Sequence, residues 1–303
     1  MDSLSLWITS IEGTPEGSTV ALILALTAAV LHAVFGALQK GRHDPLLARG
    51  AIDASYGLMA APIALFVVPW PEPHMWPIFA GAFVIHAGYK LAVLAAFRRG
   101  AFTVVYPVMR GTGPLFTVIG AGLIFGETFS LTQWLGVIVL LAGLYGLAAY
   151  NMAKVTVARD TLVNALLFAV LTGLFVALYT TYDAYGIRAT ADPFTFLAWF
   201  FFIDGLLFPV LAARFYVRMP DKPTLAPLAA RGILGGFVAF ASFGSIMLAT
   251  RLDQVGEAAV LRETSTVFAA LIGWLFLKEH VGWIRAALMA LIAAGAVIVE
   301  AGG

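Results

Sequence analysis

Ten stretches of this chain are long and apolar enough to cross a lipid bilayer, and that constrains the fold more than any other feature. A span needs about 20 mostly apolar residues to cross about 30 Å of hydrocarbon. Such runs lie at 18–39, 50–70, 75–97, 102–125 and 130–150, then at 161–182, 194–213, 226–250, 255–277 and 281–300. The connections are short and rich in breakers: Gly41 to Pro45, Pro71 and Pro73, Gly126 to Ser130, Pro220 to Pro223. Lipid offers the backbone no hydrogen bonds, so each span is expected to be helical. A β-barrel would read as weak alternation over about ten residues, whereas these runs are continuously apolar. Composition agrees, with 61% of residues hydrophobic and 12% charged, against roughly 25% charged in soluble domains. Too little polar surface remains to coat a globule in water.

Several function classes drop out at this level. The 18 basic and 17 acidic residues nearly cancel, so no global field invites nucleic acid. Cysteine is absent, which removes disulfides and thiol chemistry. There is no GxxxxGK[ST] loop for an ATP-driven pump. HExxH, paired-Asp and GxSxG signatures are also missing, and the loops are too short for a catalytic pocket. The expectation is a non-enzyme with no cofactor and no bound metal. Residues 1–17 hold Asp2, Glu12 and Glu16 but no Lys or Arg, and a signal peptide needs a basic start. They are read as a non-membrane segment of the mature protein.

Orientation follows from the loop cations. Loops after odd-numbered spans hold eleven Lys and Arg, among them Lys40, Arg98, Arg99, Lys154 and Lys278, while the other face holds Arg188 and Arg251. Odd loops are therefore expected to be cytoplasmic, with both termini outside the cell membrane.

An internal repeat sets the expected architecture. Residues 108–127 read VMRGTGPLFTVIGAGLIFGE and residues 260–279 read VLRETSTVFAALIGWLFLKE. Arg110 matches Arg262, Thr112 matches Thr264, Phe116 matches Phe268 and Glu127 matches Glu279, all at one separation. An arginine at mid-span costs roughly 2.5–3.5 kcal/mol on insertion scales, so two in matching contexts are not incidental. Five spans lie between them, an odd number, so the halves face opposite ways. The fold class is thus an all-α integral membrane protein with ten transmembrane helices in two inverted five-helix repeats, 18–150 and 151–303. Such repeats place substrate near the midplane between them.

These residues resemble the drug/metabolite transporter superfamily, specifically its EamA-type branch, over almost the whole chain. One subgroup shows the same features as His32 with Lys40, Tyr106-Pro107-Val108-Met109-Arg110-Gly111, and Arg262-Glu263-Thr264-Ser265. Gly36 stands where that pattern has an Asn. The resemblance implies small-molecule transport across a cytoplasmic membrane, with the fifth and tenth spans peripheral.

Ionisable residues within spans usually face the bundle interior and mark a pathway. The candidates for substrate binding or gating are His32, His86, Tyr89, Lys90, Tyr106, Arg110, Asp183, Arg262 and Glu263. His86 and Lys90 share a helix face by their spacing, as do Tyr106 and Arg110. Arg262 and Glu263 point roughly 100° apart, so Arg262 is expected to take a carboxylate from another span. Asp204 reads as a local polar contact, and Asp53, Glu127 and Glu279 as helix-end or solvated charges. Pro107 and Pro114 should kink or break the fourth span, leaving the ninth the stiffer mate. Small residues four apart, Ala142 with Gly146 and Ala290 with Ala294, suggest close helix contact in the fifth and tenth spans.

A cavity offering Lys90, Arg110 and Arg262 against Asp183 and Glu263 suits a small polar solute carrying both signs, such as an amino acid or a phosphonate. The leading expectation is a secondary transporter of that class working by alternating access, as carrier or exporter, monomer or homodimer. A lipid-headgroup flippase of the same fold is the alternative, followed by a membrane-embedded lipid-phosphate enzyme. Desolvation raises a buried carboxylate's affinity for a proton, which leaves proton coupling and facilitated diffusion both open.

Overall fold

A computed structural model describes residues 2–39, 44–99, 102–153, 159–276 and 282–303, and its described residues are helical without a strand. Lys40, Lys154, Lys278 and Glu279 lie outside them. Thirteen helices are described: α1 (Asp2–Ser10), α2 (Pro15–Gln39), α3 (Pro45–Phe66), α4 (Met75–Arg99), α5 (Phe102–Phe125), α6 (Leu131–Met152), α7 (Arg159–Ala189), α8 (Pro193–Asp204), α9 (Leu207–Arg218), α10 (Leu225–Leu252), α11 (Val255–Arg262), α12 (Ser265–Phe276) and α13 (Trp283–Ala301).

Their ends follow local chemistry. Asp44 caps α3 by accepting from the Leu46 and Leu47 amides, with Pro45 pre-set for the first turn. Ser130 and Gln133 form a reciprocal capping box on α6. Gly126, at φ +71°, turns the chain out of α5, a left-handed conformation that glycine adopts without strain.

Among the described residues eight segments are long and apolar enough to span, with α8 and α9 counting together as Pro193–Arg218. The expected second and ninth spans fall short of that measure for different reasons. α3 carries Arg49 and Asp53 within its run. The ninth span is split into α11 and α12, neither long enough alone.

Contacts divide the described chain into two compact units: residues 1–87 with 183–252, and residues 88–182 with 253–303. Each draws on both sequence halves, and α4 and α7 contribute to both. In the first unit α10 packs along α2 and α3, and α3 also lies against α8 and α9. Arg251 joins the helix ends there, donating to the Ile187 and Thr190 carbonyls at 2.6 and 2.8 Å and pairing with Glu12. The seventh span is interrupted between α8 and α9 at Gly205 and Leu206. Pro209 explains it, since its ring clashes with the carbonyl four residues back, that of Gly205.

In the second unit α6 runs against α13, and α5 packs on α6 and α11. A Cβ on Gly295 would stand 2.6 Å from the Gly136 carbonyl oxygen, and one on Gly143 would stand 2.7 Å from the Leu288 carbonyl oxygen. α6 and α13 therefore meet backbone to backbone at Gly136, Gly143 and Gly295. This corrects the expectation for Ala142, Ala290 and Ala294, which are exposed; at this separation even an alanine methyl collides, so glycine marks the contact. Gly146 does join it, against Leu288. Elsewhere large apolar side chains stand outward, Leu123 at 83% and Leu131 at 88% exposure, a surface suited to lipid and not to water.

Candidate functional site

The second unit holds a buried polar cluster where the ninth span is interrupted. The run Glu263-Thr264-Ser265-Thr266 offers side-chain oxygens that compete for backbone donors, which disfavours a continuous helix. The chain tightens there into i to i−3 bonds: the Glu263 amide donates to Val260 at 3.0 Å, Thr264 to Leu261 at 3.1 Å and Thr266 to Glu263 at 3.0 Å. The Thr264 hydroxyl also donates to the Leu261 carbonyl at 2.7 Å.

Arg110 of α5 closes this break. Its Nη2 donates to the Arg262 carbonyl at 3.2 Å and to Ser265 Oγ at 2.9 Å, while Nε lies 2.7 Å from Glu263 Oε2. Arg110 is 6% exposed and Glu263 3%. A cation beside the last carbonyl of α11 sits at the negative end of that helix dipole, and the carboxylate supplies the compensating charge that a buried guanidinium requires. The Tyr106 ring lies 5.9 Å from the guanidinium carbon. Arg262 reaches the Tyr179 hydroxyl, and Tyr179 meets Tyr89 edge-on at 4.9 Å. Thr266 Oγ1, in the first turn of α12, is buried without a hydrogen-bond partner among the described residues.

The Arg110 to Glu263 pair thus joins α5 to the turn between α11 and α12. Arg262 is buried beside this pair and reaches the Tyr179 hydroxyl. Of the kink or break expected at Pro107 and Pro114, the break is corrected. α5 runs through Pro107 and Pro114 as one helix, and the interruption falls in the ninth span. The polar run at Glu263 to Thr266 and the acceptors it offers to Arg110 outweigh the proline signal.

Other expected residues lie in the first unit. His86 Nε2 stands 2.8 Å from Asp183 Oδ2, both buried. Phe200 and Phe243 meet the imidazole edge-on at 4.9 and 5.6 Å. His32 is partly exposed on α2, its ring 6.2 Å from that of Phe35. Lys90 is buried on α4 in the second unit.

Sequence reasoning missed three arrangements. Tyr56 donates to Asp204 beside the break in the seventh span, and Arg49 Nε pairs with fully buried Asp53 at 2.7 Å. The signal for the first was Gly205 with Pro209, a breaker pair inside an aromatic run. Glu127 is a helix-end charge as expected, but of another helix: its carboxylate accepts from the Val255 and Gly256 amides at 2.7 and 3.0 Å, capping α11. Among the described residues no group of His, Asp and Glu is arranged to hold a metal ion.

Comparison with known proteins places this geometry. A solved crystal structure aligns with TM-score 0.74 and 19% identity over 92% of this chain and 97% of its own, a shared fold. A 77-residue stretch is 33% identical to the Uncharacterized protein y4nH of Sinorhizobium fredii, covering 25% of this chain and 66% of that relative. The family model of the EamA-like transporters matches twice, over residues 19–149 and 163–300. A helical chain with eight membrane-length apolar segments, buried charges at an interrupted span and two family matches is a multi-pass membrane protein, and it belongs to the EamA-like transporter family.

Proposed function

We propose that this protein is a secondary transporter for a small polar solute carrying both signs of charge, such as an amino acid or a phosphonate, and that it works by alternating access. The observation that carries this reading is the buried Arg110 and Glu263 pair across the interrupted ninth span. Breaking a buried pair is costly because each partner is left uncompensated. A zwitterion removes that penalty: its carboxylate or phosphonate takes the place of Glu263 on Arg110, and its ammonium takes the place of Arg110 on Glu263. A solute of one sign satisfies one side and strands the other. Tyr106, and the Thr266 hydroxyl in the next turn, add an aromatic face and an open donor to the same unit.

Discontinuous helices frequently form transporter sites, because their exposed backbone ends meet charged groups. Two family matches, one to each half of the chain, support ten spans in two inverted five-helix repeats, 18–150 and 151–303. Such halves exchange between two conformations of similar energy. The loop cations support odd loops in the cytoplasm of a cell membrane with both termini outside. The test is uptake of radiolabelled zwitterions into proteoliposomes, beside an organic acid and a polyamine. Saturable uptake of a zwitterion, lost in Arg110→Gln, is expected. Preference for an uncharged hydrophobic compound would overturn the reading.

A further inference from the structure

A threonine inside a helix commonly places its hydroxyl proton on a backbone carbonyl three or four residues earlier. The second unit follows that habit repeatedly. Thr112, Thr117, Thr172, Thr181 and Thr264, all buried, donate in this way to Val108, Gly113, Phe168, Ala177 and Leu261. Thr266 does not. It is 8% exposed, and its Oγ1 has no hydrogen-bond partner among the described residues.

The reason lies in the turn between α11 and α12. The carbonyl four residues before Thr266 is that of Arg262, and it accepts from Arg110 Nη2 at 3.2 Å. The carbonyl three residues before is that of Glu263, and it accepts from the Thr266 amide at 3.0 Å. Both acceptors that a helical threonine uses are thus already engaged. A buried hydroxyl left unbonded costs stability, and an apolar group of the same shape avoids that cost.

The same turn fixes where the hydroxyl stands. An i to i−3 bond sets side chains three apart over one another, so Thr266 lies in line with Glu263, whose carboxylate is 2.7 Å from Arg110 Nε. A solute anion that takes the place of this carboxylate on Arg110 arrives on the face carrying Thr266. Its oxygens can accept from the guanidinium and the hydroxyl together.

We propose that Thr266 is a further solute contact and a specificity determinant: its hydroxyl donates to an oxygen of the solute's carboxylate or phosphonate while Arg110 holds the same group. The assignment rests on the carrier reading above. It gives Thr266 a signature opposite to that of a structural threonine, because removing the hydroxyl weakens binding without weakening the fold.

The test compares wild type, Thr266→Val and Thr266→Ser by thermal unfolding without added solute. Calorimetric titration with the common amino acids and aminomethylphosphonate follows. Without solute, Thr266→Val is expected to melt at or above the wild-type temperature. For a probe that wild type binds, Thr266→Val is expected to bind about tenfold more weakly, the loss of one hydrogen bond to a charged group. Thr266→Ser is expected to recover most of that loss. The N-acetyl derivative of the probe keeps the anionic end and should lose the same factor. A Thr266→Val protein that melts lower than wild type, or does not fold, overturns the proposal, since the hydroxyl would then be bonded within the protein. Unchanged affinity in Thr266→Val, or a loss that disappears with the N-acetyl derivative, overturns it and leaves the carrier reading in place. Binding of none of the probes by wild type overturns the carrier reading, and the assignment of Thr266 falls with it.

Discussion

Replacing Glu263 by Gln removes the carboxylate 2.7 Å from Arg110 Nε but leaves the guanidinium buried, with the Arg262 carbonyl and Ser265 Oγ still accepting from Nη2. Removing one partner of a buried pair costs about 3–5 kcal/mol, and the two surviving acceptors place this change near the lower figure. Arg110→Gln loses all three contacts and strands a carboxylate that is 3% exposed, so it belongs near the upper figure, about 5 kcal/mol. At roughly 2 °C per kcal/mol for a chain of this size, melting temperatures fall by about 6 and 10 °C. The double variant strands neither charge. Its loss is expected to be no larger than that of Arg110→Gln alone, a coupling of about 3 kcal/mol, at the top of the range for residues in contact. The assay is thermal unfolding of all four proteins in one detergent, followed by solute uptake. Stability is expected to be partly restored in the double variant while uptake stays absent. Losses that add to within about 0.5 kcal/mol would refute the reasoning, since the two groups would then not depend on one another.

Gly295→Ala places a methyl 2.6 Å from the Gly136 carbonyl oxygen and should lower stability by about 1–3 kcal/mol, read as a lower melting temperature. Glu127→Ala removes the acceptor of the Val255 and Gly256 amides, a loss of about 1–2 kcal/mol, with faster hydrogen exchange at those two amides. Tyr56→Phe withdraws the donor from buried Asp204, and a loss of about 1–3 kcal/mol is expected in the same melting assay.

Much of the fold was legible because lipid leaves the backbone little choice. Long apolar runs without hydrogen-bonding solvent must be helices, and their spacing set most of the span boundaries. The family whose model matches each half of the chain was legible in the paired segments around Arg110 and Arg262, since an arginine within an apolar run is too costly to recur by composition. The interruptions were harder to read. In the ninth span no proline or glycine marks Glu263 to Thr266; the break depends on a run of side-chain oxygens and on Arg110 from another helix. In the seventh, Gly205 and Pro209 marked the break, but the aromatic run around them reads as one span. The pairing of His86 with Asp183 joins helices far apart in sequence, and helical spacing alone relates each only to its own neighbours. The same holds for the α6 and α13 contact, where glycine and alanine look interchangeable until the backbone separation is known.

The central claim is that one buried pair, Arg110 with Glu263, receives the two opposite charges of one solute. Calorimetric titration of the purified protein with a zwitterion found in the uptake panel, its N-acetyl derivative and its methyl ester measures this directly. Each derivative removes one charge and should bind at least tenfold more weakly, because one member of the pair is left uncompensated. Equal affinity for all three compounds would contradict the account.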